Sequence, residues 1–323
     1  MKLKEKILVI FIIIGLFLFV FGCEVNKNEE NTGGKIQLII SKDFGKETIF
    51  KKKVDYKNNI TVMDVLFDSG ADIKTSYGGS FISGINGLLS DSGGVTGERK
   101  DWFYYVNGIF ADVGVLDYFL EPGEVVWWDY HPWKMAMGGA TAVVGFFPEP
   151  FLHGYMGKKY KTYLMSFPEE KDMAQNLKEK LNTFGVKEIE IVDVKEDLLK
   201  ERKGPTIFLG EWEKLKKIDF VKEINSNYKK NGTSLHFTDN TLELLDYKGN
   251  VAKVIQEKAG IIAALGEGSG DVCPLWIISG IDSEGFSAAV NVLINNPEKI
   301  SVMYSAVVSS GSNKIMSLPL LGE

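Results

Sequence analysis

The sequence has 323 residues, with 43 acidic and 37 basic side chains and a formal net charge of −6. Hydrophobic residues make up 45% and charged residues 25% of it, proportions typical of globular protein, which excludes a wholly disordered chain. Nucleic-acid binding needs clustered Lys and Arg, and an acidic chain without such runs is a poor candidate for it. We therefore expect no nucleic-acid partner.

Cysteine and histidine are scarce, which limits metal and disulfide chemistry. The two cysteines are Cys23 and Cys273, and there are three histidines. These numbers exclude a disulfide framework and a cysteine-based metal site. The sequence contains no HExxH pair, so a classical zinc hydrolase is not expected.

The first 22 residues predict a secretory signal. Three lysines in the first six residues precede the apolar run 7–21, which is shorter than a comfortable membrane span. Gly22-Cys23 follows and resembles the lipobox of bacterial lipoproteins, which would place a diacylglycerol on Cys23. The alternative is an uncleaved N-terminal anchor. Either way, we expect an extracytoplasmic chain held at the cell membrane by a tether over residues 23–34.

Residues 35–133 predict one small β-rich domain. Lys35–Ser41 alternates apolar and polar residues and predicts a strand, and Thr48–Tyr56 predicts a more polar one. Thr61 to Asp64 fits a capping box, and it opens a helix that we expect to end at Gly70.

The second half of this domain predicts three further strands. They are Gly78–Gly87, which is rich in glycine, Asp101–Val106, and the closing strand Val125–Tyr130. Asn107-Gly108 is typical of a two-residue hairpin turn. A few strands with one helix across them predict a β-grasp-like α+β module.

Residues 134–147 are rich in Gly, Ala and Val and predict a crossover linker, and residues 148–323 predict a second domain. Here predicted strands alternate with helices, among them a helix over Ala252–Leu265 and another over Glu284–Ile294. Such alternation favours a mainly parallel sheet that is covered on both faces. The expected fold class is therefore α+β, with a small β-grasp-like domain followed by a mainly parallel α/β sandwich.

Aromatic residues are concentrated at the end of the first domain. Between Asp101 and Trp133, 11 of 33 residues are Phe, Tyr or Trp, against 12% in the whole chain. Successive strand residues point to opposite faces, so some of these rings must leave the core. They would face solvent, a ligand or the second domain. A ligand in a crevice between the two domains would satisfy all of these alternatives.

The same region resembles a known family. The segment Gly79–Gly87 is similar to the glycine-rich segment in the C-terminal β-domain of transcobalamin and intrinsic factor, and Asp101–Tyr104 is similar to its aromatic-Trp strand. Val113-Gly114, Tyr118 and the stretch Pro122–Trp127 follow in the order of that family's closing hairpin. Bacterial lipoproteins also carry such a module as a domain of unknown function.

The resemblance implies a corrinoid ligand, such as cobalamin, and a set of contacts. The family's ligand-contacting glycine corresponds to Gly87, and its contacting strand corresponds to Trp102, Phe103 and Tyr104. Rigid rings and a closely approachable backbone suit a broad, apolar plate that is edged with amides. The further expected contacts are Phe81 and Trp127. The α/α barrel that completes the family's site has no counterpart here.

Other candidates are weaker. His131 and His153, near the domain junction, are candidate axial ligands for cobalt, although a lone histidine is more often structural. The loop 266–271 is rich in glycine but follows a predicted helix and lacks the phosphate-loop pattern, so we interpret it as a connector. The basic cluster 157–161 is interpreted as a solvated turn.

Three functions remain open at this level. The first is a non-enzymatic lipoprotein that captures cobalamin between its two domains and delivers it to an importer of the energy-coupling-factor type. The second is a surface adhesion lipoprotein that binds peptide or glycan. The third is an enzyme whose site lies at the carboxyl edge of the α/β sheet.

Overall fold

Ile36, Leu38 and Ile40 are fully buried on one face of strand β1 (Lys35–Lys42), as their alternation predicts. The structure is a computed structural model that describes residues 33–93, 97–134, 139–239, 241–312 and 314–322. Cys23 and the predicted signal and tether up to residue 32 lie outside the described residues. From Gly33 onward the chain forms one compact unit, and the domain boundary at 134–147 stays a prediction.

The N-terminal half contains β1 and two sheets. Its other elements, in chain order, are β2 (Glu47–Asp55), α1 (Val62–Ser69), β3 (Ile73–Ser76), β4 (Phe81–Ile85), β5 (Leu88–Leu89), β6 (Arg99–Val106), β7 (Ile109–Phe110) and β8 (Val125–Trp133). The larger sheet has the order β2-β1-β8-β6-β7, with β1 and β8 parallel and the other neighbours antiparallel. Strands β3, β4 and β5 form a separate small antiparallel sheet.

Two local predictions in this half are confirmed. The Thr61 hydroxyl accepts a hydrogen bond from the Asp64 amide, and the Asp64 carboxylate accepts one from the Thr61 amide, which is the expected capping box of α1. The helix ends at Gly70 in the left-handed region. Asn107 and Gly108, with φ of 52° and 76°, form the two-residue turn between β6 and β7.

The C-terminal half contains a seven-stranded sheet and a three-stranded sheet. Its elements are β9 (Thr162–Ser166), α2 (Lys171–Phe184), β10 (Ile189–Asp193), α3 (Glu196–Lys200), β11 (Thr206–Leu209), α4 (Trp212–Leu215), α5 (Asp219–Ser226), β12 (Leu235–Phe237), β13 (Leu242–Leu245), β14 (Val251–Ile255), β15 (Ala259–Leu265), β16 (Leu275–Gly280), α6 (Ser283–Asn295), β17 (Ser305–Ser309) and β18 (Lys314–Leu318). The large sheet has the order β10-β9-β11-β16-β15-β17-β18, and the small one β12-β13-β14.

The predicted helix over Ala252–Leu265 is wrong, because this segment forms strands β14 and β15. Residues 259–264 are all buried, and a continuous apolar run does not distinguish a strand buried on both faces from a buried helix. The turn between the two strands contains Lys258 with φ of 57°, a conformation that ends any helix.

The large sheet is mixed rather than mainly parallel, for the same reason. Strands β10, β9, β11 and β16 are parallel neighbours, whereas β16, β15, β17 and β18 are antiparallel neighbours. Strand β15, for which the sequence predicts a helix, lies between β16 and β17 and reverses the direction of pairing. Helices α2 and α6 cover one face, while α3, α4, α5 and the small sheet cover the other.

The two halves meet across a filled aromatic layer. Tyr105 and Trp127 on the outer face of the first sheet pack against Phe146 and Tyr304, with ring centroids 4.8–5.6 Å apart. Of the segment predicted as a linker, residues 142–146 are buried in this layer. The outward-facing rings of this face are therefore explained by contact with the second half of the chain.

Candidate binding surface

The small β3-β4-β5 sheet carries two of the residues expected at the site, Phe81 and Gly87. Phe81 opens β4, and Asn86-Gly87 forms the two-residue turn that joins β4 to β5, with both φ values positive. A side-chain carbon built on Gly87 would meet nothing within 4 Å. The backbone at Gly87 is therefore open to a close approach by another molecule.

Exposed apolar rings lie on the same small sheet, at the other end of β4 from this turn. Tyr77 is 86% exposed and Phe81 is 39% exposed, and their rings pack edge to face with centroids 6.1 Å apart. Leu89 on β5 is exposed as well. We call these three residues, Tyr77, Phe81 and Leu89, the hairpin patch. Exposed rings that contact each other are typical of a binding surface rather than of scattered surface residues.

The conformation of Tyr77 projects its ring outward. Tyr77, Gly78 and Gly79 have successive φ values of 52°, 70° and 98°. A left-handed conformation is unusual for a bulky residue and commonly marks a functional site. Tyr77 is not among the residues expected from the sequence, although the two glycines that follow it signal such a turn.

The buried Trp102 and the half-buried Tyr130 fix the position of the small sheet. The Trp102 indole donates a hydrogen bond to the Leu88 carbonyl at 3.0 Å, and the Tyr130 hydroxyl donates one to the Leu89 carbonyl at 2.7 Å. The Trp102 and Tyr130 rings pack 5.1 Å apart, and Trp102 is only 6% exposed. Trp102 therefore positions the hairpin from behind and is not open to solvent.

The other expected contacts lie elsewhere. Trp127 is fully buried at the junction of the two halves, where its indole donates a hydrogen bond to Ser41 at 2.7 Å. Phe103 is half-buried and stacks on His131 with centroids 4.2 Å apart. Tyr104 is half-buried against Trp128, and burial raises the pKa of its hydroxyl well above the usual range. Among the described residues, the expected crevice at Trp127 is closed.

A buried carboxylate holds His131. Asp129 accepts hydrogen bonds from the Ser41 hydroxyl and from the Phe44 and Gly45 amides, and it pairs with His131 Nδ1 at 2.9 Å. Tyr304 reaches the same carboxylate. This network ties the two halves together and gives His131 a structural place.

His153 is held in the same way by Glu149, with Nδ1 2.5 Å from the carboxylate. That hydrogen bond raises the pKa of the imidazole. Within the residues that the structure describes, no group of three His, Cys, Asp or Glu side chains is placed to hold a metal ion. Cobalt ligation by His131 or His153 stays a prediction.

Glu124 is a fully buried acid beside this region. Its carboxylate accepts hydrogen bonds from the Glu121 amide at 2.8 Å, the Asn107 side chain at 2.9 Å and the Tyr118 hydroxyl at 3.3 Å. Burial, which is the largest effect, raises its pKa from 4.5 to about 7. The folded chain therefore keeps this proton at pH values where the unfolded chain has lost it.

We predict that this group makes the fold more stable in mild acid. Between pH 4.5 and about 7 the folded state holds the proton of Glu124 and the unfolded state does not, so the free energy of unfolding decreases as pH rises. The expected decrease is about 3 kcal/mol across that window. Thermal unfolding at about pH 5 and about pH 8 measures it. Glu124→Gln should reduce the dependence.

The matched control for this prediction is Glu121→Gln, because Glu121 is exposed. His153 also contributes stability that is present below pH 6.5 and is lost as pH rises through its raised pKa. Glu124→Gln should therefore flatten the pH dependence without abolishing it. A Glu124→Gln protein with the pH dependence of the parent would contradict the prediction.

The glycine-rich loop 266–271 of the C-terminal half does not form an exposed apolar surface like the hairpin patch. In the loop 266–271, Asp271 accepts hydrogen bonds from the Glu267 and Cys273 amides, and Arg202 pairs with both acids. The loop follows a strand, not a helix as expected, and its acids are engaged in its own turn. Its contacts agree with its interpretation as a connector.

Comparison with known proteins bears on the N-terminal half only. A family model described as a domain of unknown function (DUF4430) matches residues 59–132. No curated protein matches the chain. The matched segment covers less than a quarter of the chain, from just before α1 to β8, and it includes the small sheet and its anchoring strand.

No helix within the described part of the chain is long and apolar enough to cross a membrane.

Proposed function

We propose that the protein is an extracytoplasmic binding protein that captures a corrinoid, such as cobalamin, on the hairpin patch. The observation that carries the proposal is the exposed pair Tyr77 and Phe81 on the small sheet whose β4-β5 turn is open at Gly87. Both Phe81 and Gly87 belong to the segment that resembles the ligand-contacting segment of the transcobalamin β-domain. The protein acts by binding and not by catalysis.

The chemistry of the patch suits such a ligand. A corrin ring presents a broad apolar face, which Tyr77, Phe81 and Leu89 would cover with rigid or branched side chains. Its rim carries amides, which can hydrogen-bond a backbone that no side chain shields, as at Gly87. The outer surface replaces the crevice between the halves as the proposed site, because Trp127 is enclosed there.

The fold of the N-terminal half supports this assignment. The order β2-β1-β8-β6-β7, with its central parallel pair and one helix across the sheet, supports a β-grasp fold. The four parallel strands of the C-terminal half, covered by helices on both faces, support an α/β sandwich there. The fold of a scaffold does not determine its ligand, so the ligand is tested directly.

The location follows from the N-terminal sequence. In this proposal, cleavage before Cys23 and lipidation of its thiol hold the protein on the outer face of the cell membrane. A bound corrinoid then passes to an importer of the energy-coupling-factor type in the same membrane.

Calorimetric titration of residues 24–323 with cyanocobalamin tests the proposal. We expect saturable binding with one ligand per chain, and retention of the red ligand after gel filtration. An absence of heat and of retained ligand at micromolar protein would reject the corrinoid and favour a peptide or glycan ligand for the same patch.

A further inference from the structure

A second exposed apolar surface lies away from the hairpin patch, on the loop before β8 and on the segment before β9. It consists of Leu116, Phe119, Met156 and Tyr160, which are all exposed. Lys158 and Lys159 are exposed within it and form no ion pair with any residue that the structure describes. We call these six residues the tether-end patch. The proposed corrinoid site uses none of them.

The two segments of this patch are joined by direct contacts. The Met156 amide donates a hydrogen bond to the Tyr118 hydroxyl at 2.8 Å. A side-chain carbon on Gly157 would lie 3.9 Å from the Glu121 carboxylate. The loop that carries Phe119 and the turn that carries Met156 thus form one continuous end of the fold.

The chain also joins the fold at this end. The Gly123 amide donates a hydrogen bond to the Lys35 carbonyl at 3.0 Å, and Gly34 lies directly against Pro122. Residues 33–35 connect the fold to the upstream sequence. They contact Pro122 and Gly123, which follow Phe119 by three and four residues in the same loop. Any anchor upstream of Gly33 acts on this end of the molecule.

The hairpin patch lies toward the opposite end of β1. Strand β1 starts at Lys35, and its last residue, Lys42, pairs with Tyr130, whose hydroxyl holds the Leu89 carbonyl. Eight residues of strand separate the two ends, about 23 Å at the rise of a β-strand.

We propose that the tether-end patch rests on the lipid bilayer into which the anchor at Cys23 inserts, so that the hairpin patch faces outward. This inference rests on the lipid anchor of the proposed function. Aromatic, methionine and leucine side chains are favoured at the boundary of headgroups and acyl chains, and lysines extend from such a surface to lipid phosphates.

The anchor makes a weak contact sufficient. The ten residue steps from Cys23 to Gly33 span at most about 35 Å, so the fold stays at high effective concentration near the membrane. Asp117 and Glu121 are also exposed at this end and balance the two lysines. The apolar side chains, and Phe119 above all, therefore carry the contact.

A fluorescent label in the tethered protein tests this orientation. Residues 24–323, with a hexahistidine tag in place of Cys23, are held on nickel-chelating lipid in phosphatidylcholine vesicles. Cys273→Ser leaves a single thiol in Asp117→Cys or Ser80→Cys, which takes a label sensitive to its surroundings. We expect the label at 117 to gain intensity and shift to shorter wavelength on tethering, and the label at 80 to stay as in water.

Matched variants decide which side chains carry the contact. Phe119→Ala should abolish the shift at 117, and Phe67→Ala should preserve it, because Phe67 is equally exposed, at 56% against 55%, but lies on α1. A label at 117 that stays in water, or equal shifts at 117 and 80, would overturn the inference and leave the patch to a protein partner.

This test is separate from that of the corrinoid site. The nickel lipid replaces the natural anchor, so the result does not depend on lipidation of Cys23. Cyanocobalamin titration of the protein labelled at 117 adds the second readout. Phe119→Ala should leave corrinoid affinity unchanged, and loss of ligand binding with a normal shift at 117 would reject the proposed function alone.

Discussion

Replacement of Phe81 by alanine is expected to weaken cyanocobalamin binding about 5- to 100-fold, which corresponds to about 1–3 kcal/mol for an aromatic side chain at the centre of a contact. Phe81 is 39% exposed in the free protein, so much of its ring is available to be covered by a ligand. Tyr77→Ala should have a similar effect, because the two rings contact each other. Calorimetric titration measures both.

The control for these variants is Phe119→Ala, an exposed phenylalanine of the same half that lies outside the hairpin patch. Its affinity should equal that of the parent. Trp102→Phe provides a different readout: it removes the hydrogen bond to Leu88 that positions the hairpin, while a ring still fills the space. Unchanged affinity in both Phe81→Ala and Tyr77→Ala, with intact folding, would move the ligand away from this sheet.

Local signals in the sequence were sufficient where the structure depends on neighbouring residues. The capping box at Thr61 and the turn at Asn107-Gly108 are set by hydrogen bonds and backbone conformations within a few residues. Such features do not depend on the rest of the fold, and both were predicted correctly. Strand β1 followed from its alternation of apolar and polar residues.

Burial on both faces removed the signal at β15. Residues 259–264 are uniformly apolar because both faces of the strand are covered. Helix α6 packs on one face, and the core that includes the β12-β13-β14 sheet packs on the other. Without alternation, neither a strand nor a helix is favoured, and the error at one strand changed the expected sheet from mixed to mainly parallel. That information resides in tertiary contacts.

The sequence predicts that some of the aromatic rings between Asp101 and Trp133 leave the core of the first domain. In the structure these rings have two different structural roles. Tyr105 and Trp127 fill the junction with the second half, and Trp102 and Tyr130 hold the small sheet. The exposed members of the proposed site, Tyr77, Phe81 and Leu89, lie outside the aromatic-rich segment. Composition locates a dense region but does not distinguish a ring that contacts a ligand from one that supports it.

Replacement of Gly285 by alanine is expected to destabilise the protein more than any other change considered, by about 3 kcal/mol or more, because a rigid backbone must move to admit the new carbon. Gly285 lies at the start of α6 and faces Gly260 on β15. A side-chain carbon on Gly285 would lie 2.3 Å from the backbone of Ala259, and one on Gly260 would lie 2.0 Å from the Gly285 carbonyl oxygen. Helix and strand can approach this closely only because both residues are glycine.

Chemical denaturation of Gly285→Ala against the parent measures this effect, with Gly268→Ala as the matched control. Gly268 lies in the loop 266–271, and a side-chain carbon there meets nothing within 4 Å. The control should differ little from the parent, whereas Gly285→Ala should unfold at much lower denaturant concentration. The loss should appear in the free energy of unfolding and not in corrinoid affinity measured on the folded fraction, since the contact lies in the C-terminal half. A Gly285→Ala protein as stable as the control would mean that α6 can shift away from β15 without a loss of stability. The close approach of α6 to β15 would then not contribute to the free energy of unfolding.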